Sequence, residues 1–152
     1  RPFDAERDGF VMGEGAGVLC LEDWETAEAR GATILAEVLG GASTADAHHI
    51  TAPSPGGKGA ITCIRQALEE AEVEPSAVVH VNAHGTSTPL NDMAEAVAMA
   101  EVFGVNGPRV TSTKGITGHA LGAAGAIEAV AVVLAIEKCL IPPTAGYTTP
   151  DP

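Results

Sequence analysis

Two short polar runs in a largely apolar chain hold the side chains best suited to chemistry. The first, NAHGTSTP at residues 82–89, follows the apolar stretch VVHV; the second, STKGITGH at 112–119, follows RVT. Each places a histidine beside a glycine, His84 before Gly85 and His119 after Gly118. Imidazole titrates near neutrality and can donate or accept a hydrogen bond, so it serves many reactions. Glycine beside the ring lets a ligand or a second backbone approach closely. Lys114 stands between an apolar run and Gly115, an unusual place for a merely solvated lysine. Spacing alone leaves a structural reading open, since a histidine near a strand end is often just hydrogen-bonded and Thr-Ser-Thr is ordinary turn chemistry. His48, His49 and His80 fit that structural reading better than a functional one.

The elements that would position these runs alternate as in an α/β protein. Residues 10–21 (FVMGEGAGVLCL) read as a buried, glycine-rich strand, followed by an acidic, alanine-rich helix near 22–30 that stops at Gly31. Residues 33–39 read as the next strand. Residues 46–59 have no periodicity and contain two prolines and three glycines, hence a long loop of the kind that carries function or mobility. Ile61, Ile64, Leu68 and Ala71 recur at helical spacing, with Pro75 beyond the helix end. Residues 78–82 form a short β-branched strand, as a parallel strand covered on both faces should. Asn91 or Asp92 then caps a helix containing Met93, Ala96, Val97 and Ala100, with Glu95 placed as in a capping box and Gly104 as the stop. Residues 109–113 form another strand. If both strands lie in one open sheet, the two polar runs emerge together at its carboxyl edge, where ligands bind.

Residues 120–139 are nearly all apolar, with Glu128 the only charge between Ala120 and Ile136. A membrane span needs about 20 predominantly apolar residues, and this stretch is broken by Gly122, Gly125 and Glu128. A buried helix at the centre of a layered protein is the expectation. The whole chain has 152 residues, enough for one domain with a real core. Its 20 acidic against 8 basic side chains give a net charge of −12 and argue against nucleic-acid binding. Cys20, Cys63 and Cys139 are odd in number and widely spaced, which points to a reducing compartment without a disulfide framework or zinc site. No third ligand at metal-site spacing accompanies the two histidines, so no metal is expected. The first residue is Arg1 and no signal peptide is evident, so the chain reads as an excerpt of a longer, cytoplasmic protein.

VNAHGTSTPLND (81–92), STKGITGHALGAAGAIEA (112–129) and RPFDAERDGFVMGEGAGVLCLE (1–22) closely resemble the C-terminal half of β-ketoacyl-[acyl-carrier-protein] synthases, above all the ketosynthase II type of fatty-acid elongation. The resemblance covers essentially the whole chain, with the motifs in order; Asn91 departs from the glycine of many relatives. It implies an α/β, thiolase-like layered fold, here a partial domain over 1–152 made mainly of the C-terminal half. It also implies an acyltransferase that performs a decarboxylating Claisen condensation of an acyl thioester with malonyl-[acyl-carrier-protein]. His84 and His119 match the two catalytic histidines, which would hydrogen-bond the thioester oxygen, and Lys114 matches the catalytic lysine. Thr86, Thr88 and Thr51 match positions near the phosphopantetheine arm. Asn82 and Glu128 match a buried polar network.

No cofactor is expected on the enzyme itself, since the 4'-phosphopantetheine belongs to the acyl carrier protein, the expected partner; a homodimer is implied for the full-length enzyme. The family's nucleophilic cysteine lies in an N-terminal motif, and its final glycine-rich loop follows the region matched here; neither is in this chain. Each of the three cysteines is therefore expected to be a packing residue, and the 152-residue polypeptide alone is expected to be inactive. Residues 46–58 match a mobile segment beside the acyl entrance. Arg65 and Lys58 are weak candidates for carrier-protein docking. Two other functions fit the same residues: a ketosynthase of polyketide or secondary metabolism, and a non-catalytic, chain-length-factor-like partner subunit. Retention of His84, His119 and Lys114 weighs against the last.

Overall fold

A computed structural model describes residues 1–151 of the chain. The elements are α1 (Trp24–Ala29), α2 (Lys58–Glu70), β1 (His80–Asn82), α3 (Pro89–Phe103), β2 (Arg109–Thr111), α4 (Lys114–Thr117) and α5 (Ala124–Lys138). Single 3-10 turns stand at Pro55–Gly57, Pro75–Ala77 and Leu121–Ala123. β1 and β2 pair in parallel, with His80 opposite Arg109, Val81 opposite Val110 and Asn82 opposite Thr111. A parallel pair needs a crossover, and α3 supplies it. The loops after β1 and β2 therefore leave the same edge of the pair, which puts both polar runs side by side.

α3 begins one turn earlier than its sequence suggests. Thr88 is the extended N-cap residue and Pro89 the first helical residue, so Asn91 and Asp92 lie inside the first turn. Proline at that position has the helical φ already set and lacks an N–H that would go unbonded. Asp92 is thus not a cap, and its buried carboxylate is free for other donors. Gly104, at φ 74°, ends the helix as expected. The turn that leads into α2 packs on α3 at close range: a Cβ on Gly57 would come 2.5 Å from the carbonyl oxygen of Ala94.

The two other expected strands do not form. Residues 10–21 make a single parallel bridge, Met12 with His119, and residues 33–39 are not assigned to a strand. A strand exists only through a neighbour's backbone, and among the described residues only β1 and β2 make such a ladder. The glycines of the first segment instead allow it to cross α5, where a Cβ on Gly17 would meet the backbone of Ala126 at 2.8 Å.

Among the described residues few apolar side chains are buried. The buried hydrophobic residues are Ala27, Ala83, Ala98 and Ala124, whereas Val18, Leu21 and Val38 are each at least three-quarters exposed. α5 is apolar around its circumference, yet Leu134 and Ile136 are about half exposed. Cys20 and Cys139 are exposed, so the expected packing role holds only for half-buried Cys63, whose thiol lies 3.3 Å from the carbonyl oxygen of Ala42. Among the described residues no helix is long and apolar enough to cross a membrane.

What is buried instead is polar. Asp4, wholly buried, accepts hydrogen bonds from the N–H groups of Thr148, Thr149 and Glu6 and from the Thr148 hydroxyl. These donors, Thr149 foremost, hold its carboxyl well below the usual carboxylate range. The chain's first and last segments are thereby tied together beneath the two loops.

Candidate active site

The loop after β1 continues the ladder for one residue, Ala83 N–H to Thr111 O at 2.8 Å, and then turns outward at His84. Gly85 makes the turn with φ 43°. A Cβ there would lie 2.5 Å from that of Ser112, so only glycine fits. The Ser112 hydroxyl, wholly buried, donates to Gly85 O at 2.9 Å and so joins the two loops.

Two carboxylates of α3 hold the histidine loop from below. Glu95 accepts the N–H groups of His84 at 2.7 Å and Gly85 at 2.6 Å, and the amide of Asn91 at 2.8 Å. Desolvation raises its pKa against the pull of those donors. Asp92 accepts Ser87 N–H at 3.1 Å and Phe3 N–H at 2.8 Å. Both donors are non-glycine residues at positive φ, 68° and 63°. Arg7 Nε stands 4.0 Å from Asp92. The bonds to Asp92 offset the cost of the two left-handed residues, which for such positions is about 1–3 kcal/mol each.

His119 is set by the segment expected to be a strand. Its N–H donates to Val11 O at 2.8 Å and its carbonyl accepts Gly13 N–H at 3.0 Å. The Phe10 ring meets the imidazole edge to face, with centroids 5.2 Å apart. The two imidazoles themselves are 5.2 Å apart, centroid to centroid, with planes at 85°.

Each ring has its Nδ1 occupied by a donor. Leu121 N–H donates to His119 Nδ1 at 3.2 Å. Lys114, buried, directs its ammonium to His84 O at 2.7 Å, to His84 Nδ1 at 3.3 Å and to the Glu128 carboxylate. A neutral imidazole whose Nδ1 accepts carries its proton on Nε2. Neither Nε2 has a partner among the described residues, so two N–H donors remain for an incoming group. Neutrality is favoured as well: desolvation first, then the Lys114 charge, lowers the pKa of both rings below the ordinary value of about 6.5. Glu128 opposes this in both.

Against His119 lies a cavity of about 390 Å³ that Phe10, Met12, Thr86, Ser87 and Lys114 also line; His84 and Thr88 do not line it. The hydroxyls of Thr86 and Thr88 bond each other at 2.8 Å. Thr51 is exposed in the 46–59 loop and does not line this cavity. The expected link between Asn82 and Glu128 is not made. Glu128 pairs with Lys114, and both polar atoms of the Asn82 amide are buried without a partner. His80 bonds Thr111 Oγ1 at 2.8 Å, in keeping with its structural reading. Among the described residues no group of three His, Cys, Asp or Glu side chains is placed to hold a metal ion.

Comparison with known proteins shows the family of the chain. The family described as "Beta-ketoacyl synthase, C-terminal domain" matches residues 35–148, and "Beta-ketoacyl synthase, N-terminal domain" matches 1–27. The chain belongs to the β-ketoacyl synthase family. A 3-oxoacyl-[acyl-carrier-protein] synthase 2 from Synechocystis sp. is 53% identical over all of this chain and 37% of its own length. The chain thus spans well under half of that curated relative. Among solved structures, the ishigamide ketosynthase/chain length factor superposes with TM-score 0.96 at 47% identity, over 100% of this chain and 37% of the other. A type II PKS acyl-carrier protein in complex with its ketosynthase bound to the hexaketide gives TM-score 0.96 at 48%, over 99% and 38%. The fold of this chain is accordingly α/β and thiolase-like.

Three contributors to the site escaped the sequence reading. Glu95 and Asp92 looked like capping residues, and Phe10 looked like part of a strand. A signal existed for the first two: carboxylates three residues apart on one face of an alanine-rich helix, directly after the histidine loop.

Proposed function

We propose that the intact protein carrying this chain catalyses the decarboxylating Claisen condensation of an acyl thioester with malonyl-[acyl-carrier-protein], giving a 3-oxoacyl-[acyl-carrier-protein] in fatty-acid elongation. The observation that carries this reading is the imidazole pair, edge to face, with each Nδ1 engaged by a donor and each Nε2–H left free. When the malonyl carboxylate leaves as CO2, its bonding pair moves onto the thioester carbonyl and negative charge develops on that oxygen. Two preset N–H donors stabilise such charge without transferring a proton, and losing one donor of this kind costs about 10²–10³ in rate. The enolate carbon then attacks the acyl thioester carbon, and the acyl group's former sulfur departs as thiolate.

In this reading His84 and His119 are the oxyanion donors. Lys114 keeps His84 neutral and its proton on Nε2, and Glu128 balances the Lys114 charge. Thr86 and Thr88, and Thr51 from the loop, take the phosphopantetheine arm of the carrier protein. Asn82, with two unpartnered polar atoms, belongs to a polar network completed by groups other than Glu128. None of the three cysteines lines the cavity, so the acyl-bearing nucleophile is assigned to a part of the protein outside this chain. Residues 1–152 accordingly form a partial ketosynthase domain, and the cytoplasm and a homodimer are the proposed setting.

A polyketide ketosynthase is the second reading. It is favoured by the structural likeness to two such assemblies at 47% and 48% identity, close to the 53% of the fatty-acid relative. Incubating the intact protein with malonyl-carrier protein and, in separate reactions, saturated or poly-oxo acyl primers, and following CO2 and condensed product, tests both. Condensation of fully reduced primers supports elongation, and acceptance of only poly-oxo chains supports the polyketide reading. Undiminished decarboxylation in both His84→Ala and His119→Ala would refute the shared mechanism, and turnover by the 152-residue chain alone would refute the assignment of the nucleophile.

A further inference from the structure

One hydroxyl fastens the two loops of the site to each other. Ser112, the residue after β2, is wholly buried, and its Oγ bonds in both directions. It donates to Gly85 O at 2.9 Å and accepts Lys114 N–H at 3.3 Å. Those two partners flank the contact that sets the tautomer of His84. Gly85 follows the imidazole, and Lys114 carries the ammonium that reaches His84 Nδ1 at 3.3 Å and His84 O at 2.7 Å. The contacts close into a ring, from Ser112 Oγ through Gly85 and His84 to the Lys114 ammonium, and back through the Lys114 N–H. Among side chains this small, only a hydroxyl donates and accepts well at one atom, and alanine does neither. Thr113, the N-cap residue of α4, makes no side-chain bond to the helix, so the Lys114 N–H depends on Ser112.

Ser112 is in turn held by a distant segment. Its N–H donates to Thr144 Oγ1 at 3.0 Å, and half-buried Thr144 lines a separate, mostly apolar cavity that includes Met99 and Val110. Neither Ser112 nor Thr144 lines the cavity against His119. Ser112 is packed directly on the Gly85 backbone, its Cβ and Oγ being 2.5 and 2.6 Å from the place a Gly85 Cβ would take. From this geometry we infer that Ser112 is a positioning residue: its hydroxyl sets the distance between the His84 and Lys114 loops, and Thr144 holds it in register from outside the site. The functional half of the inference rests on the reading of His84 as an oxyanion donor. Neither residue touches substrate in this scheme; both act through the contact of Lys114 with His84. A misplacement of about 1 Å at such a contact costs up to about 10²-fold in rate.

The test uses the intact protein with isotope-labelled histidine, whose ring nitrogens report the tautomer by NMR. Ser112→Ala removes the hydroxyl. Thr144→Val removes the acceptor of the Ser112 N–H at nearly unchanged shape, and Thr144→Ser keeps it. Wild-type His84 should show its proton on Nε2, and both Ser112→Ala and Thr144→Val should mix the two tautomers. With malonyl-carrier protein as the varied substrate, kcat for decarboxylation should fall about tenfold in Ser112→Ala and about threefold in Thr144→Val, with KM within about twofold. Thr144→Ser should restore both readouts, and the Thr144 pair carries the test should Ser112→Ala fail to fold. A His84 ring spectrum unchanged in Ser112→Ala and Thr144→Val overturns the positioning role whatever the activity. Failure of Thr144→Ser to restore the spectrum overturns the part given to Thr144. An altered spectrum with undiminished decarboxylation overturns the functional half. His84→Ala in the same assay then separates the causes: wild-type decarboxylation there means that the oxyanion reading has failed, and its loss means that only the link to Ser112 has.

Discussion

Replacing Lys114 by methionine separates two roles that its ammonium combines. Its three N–H bonds go to Glu128, to His84 O and to His84 Nδ1. The Lys114 side chain is 3% exposed and that of Glu128 16%. Removing one partner of so enclosed a pair is expected to cost about 3–5 kcal/mol, because the carboxylate is left without its counter-charge. A double variant, Lys114→Met with Glu128→Gln, removes the orphaned charge and should recover most of that loss in denaturant unfolding of the intact protein. Decarboxylation should not recover with it. Without a donor at Nδ1, the His84 imidazole is free to carry its proton there, and the oxyanion loses a preset donor, about 10²-fold in rate. Malonyl-carrier protein decarboxylation, followed as CO2 release, reads this directly. If the double variant regains wild-type decarboxylation along with stability, Lys114 works only by balancing Glu128, and the argument for a tautomer held through Nδ1 is refuted.

Gly85→Ala should destabilise by about 3 kcal/mol or more and abolish decarboxylation, since its Cβ would lie 2.5 Å from that of buried Ser112 at a positive φ; melting of the intact protein checks this. Glu95→Gln keeps shape but turns an N–H₂ toward the backbone N–H of His84 or Gly85. Decarboxylation should fall about tenfold or more while acylation by the primer is nearly unaffected, as separate single-turnover assays would reveal. In pH-rate profiles the acid limb should lie below pH 6.5. Both imidazoles have lowered pKa values, so the folded protein binds fewer protons than the unfolded chain between about 6.5 and the folded value. Their contribution to stability and to rate is complete above that window and is lost as pH falls through the folded pKa. Lys114→Met should move the limb toward higher pH, because the second-largest influence holding His84 low is gone.

Elements closed by local bonds were readable from residue order alone: α2 and α3 by their periodicity and stops, β1 and β2 by short β-branched runs, and the loops carrying His84, Lys114 and His119 by their position after those strands. Propensity and turn chemistry act within a few residues, so they leave a local imprint. What required the folded chain was every relation between distant segments. The strand expected at residues 10–21 became an irregular crossing over α5 that holds His119, because strand pairing depends on a neighbour and no local pattern supplies one. Glu95 and Asp92 changed from caps to clamps because Pro89 moved the helix start and turned both carboxylates toward loop N–H groups. Glu128 pairs with Lys114, fourteen residues away, while the Asn82 amide is left without a partner, and residue order alone announces neither outcome. Residue types thus declared which groups were available for chemistry, and packing alone determined which of them meet.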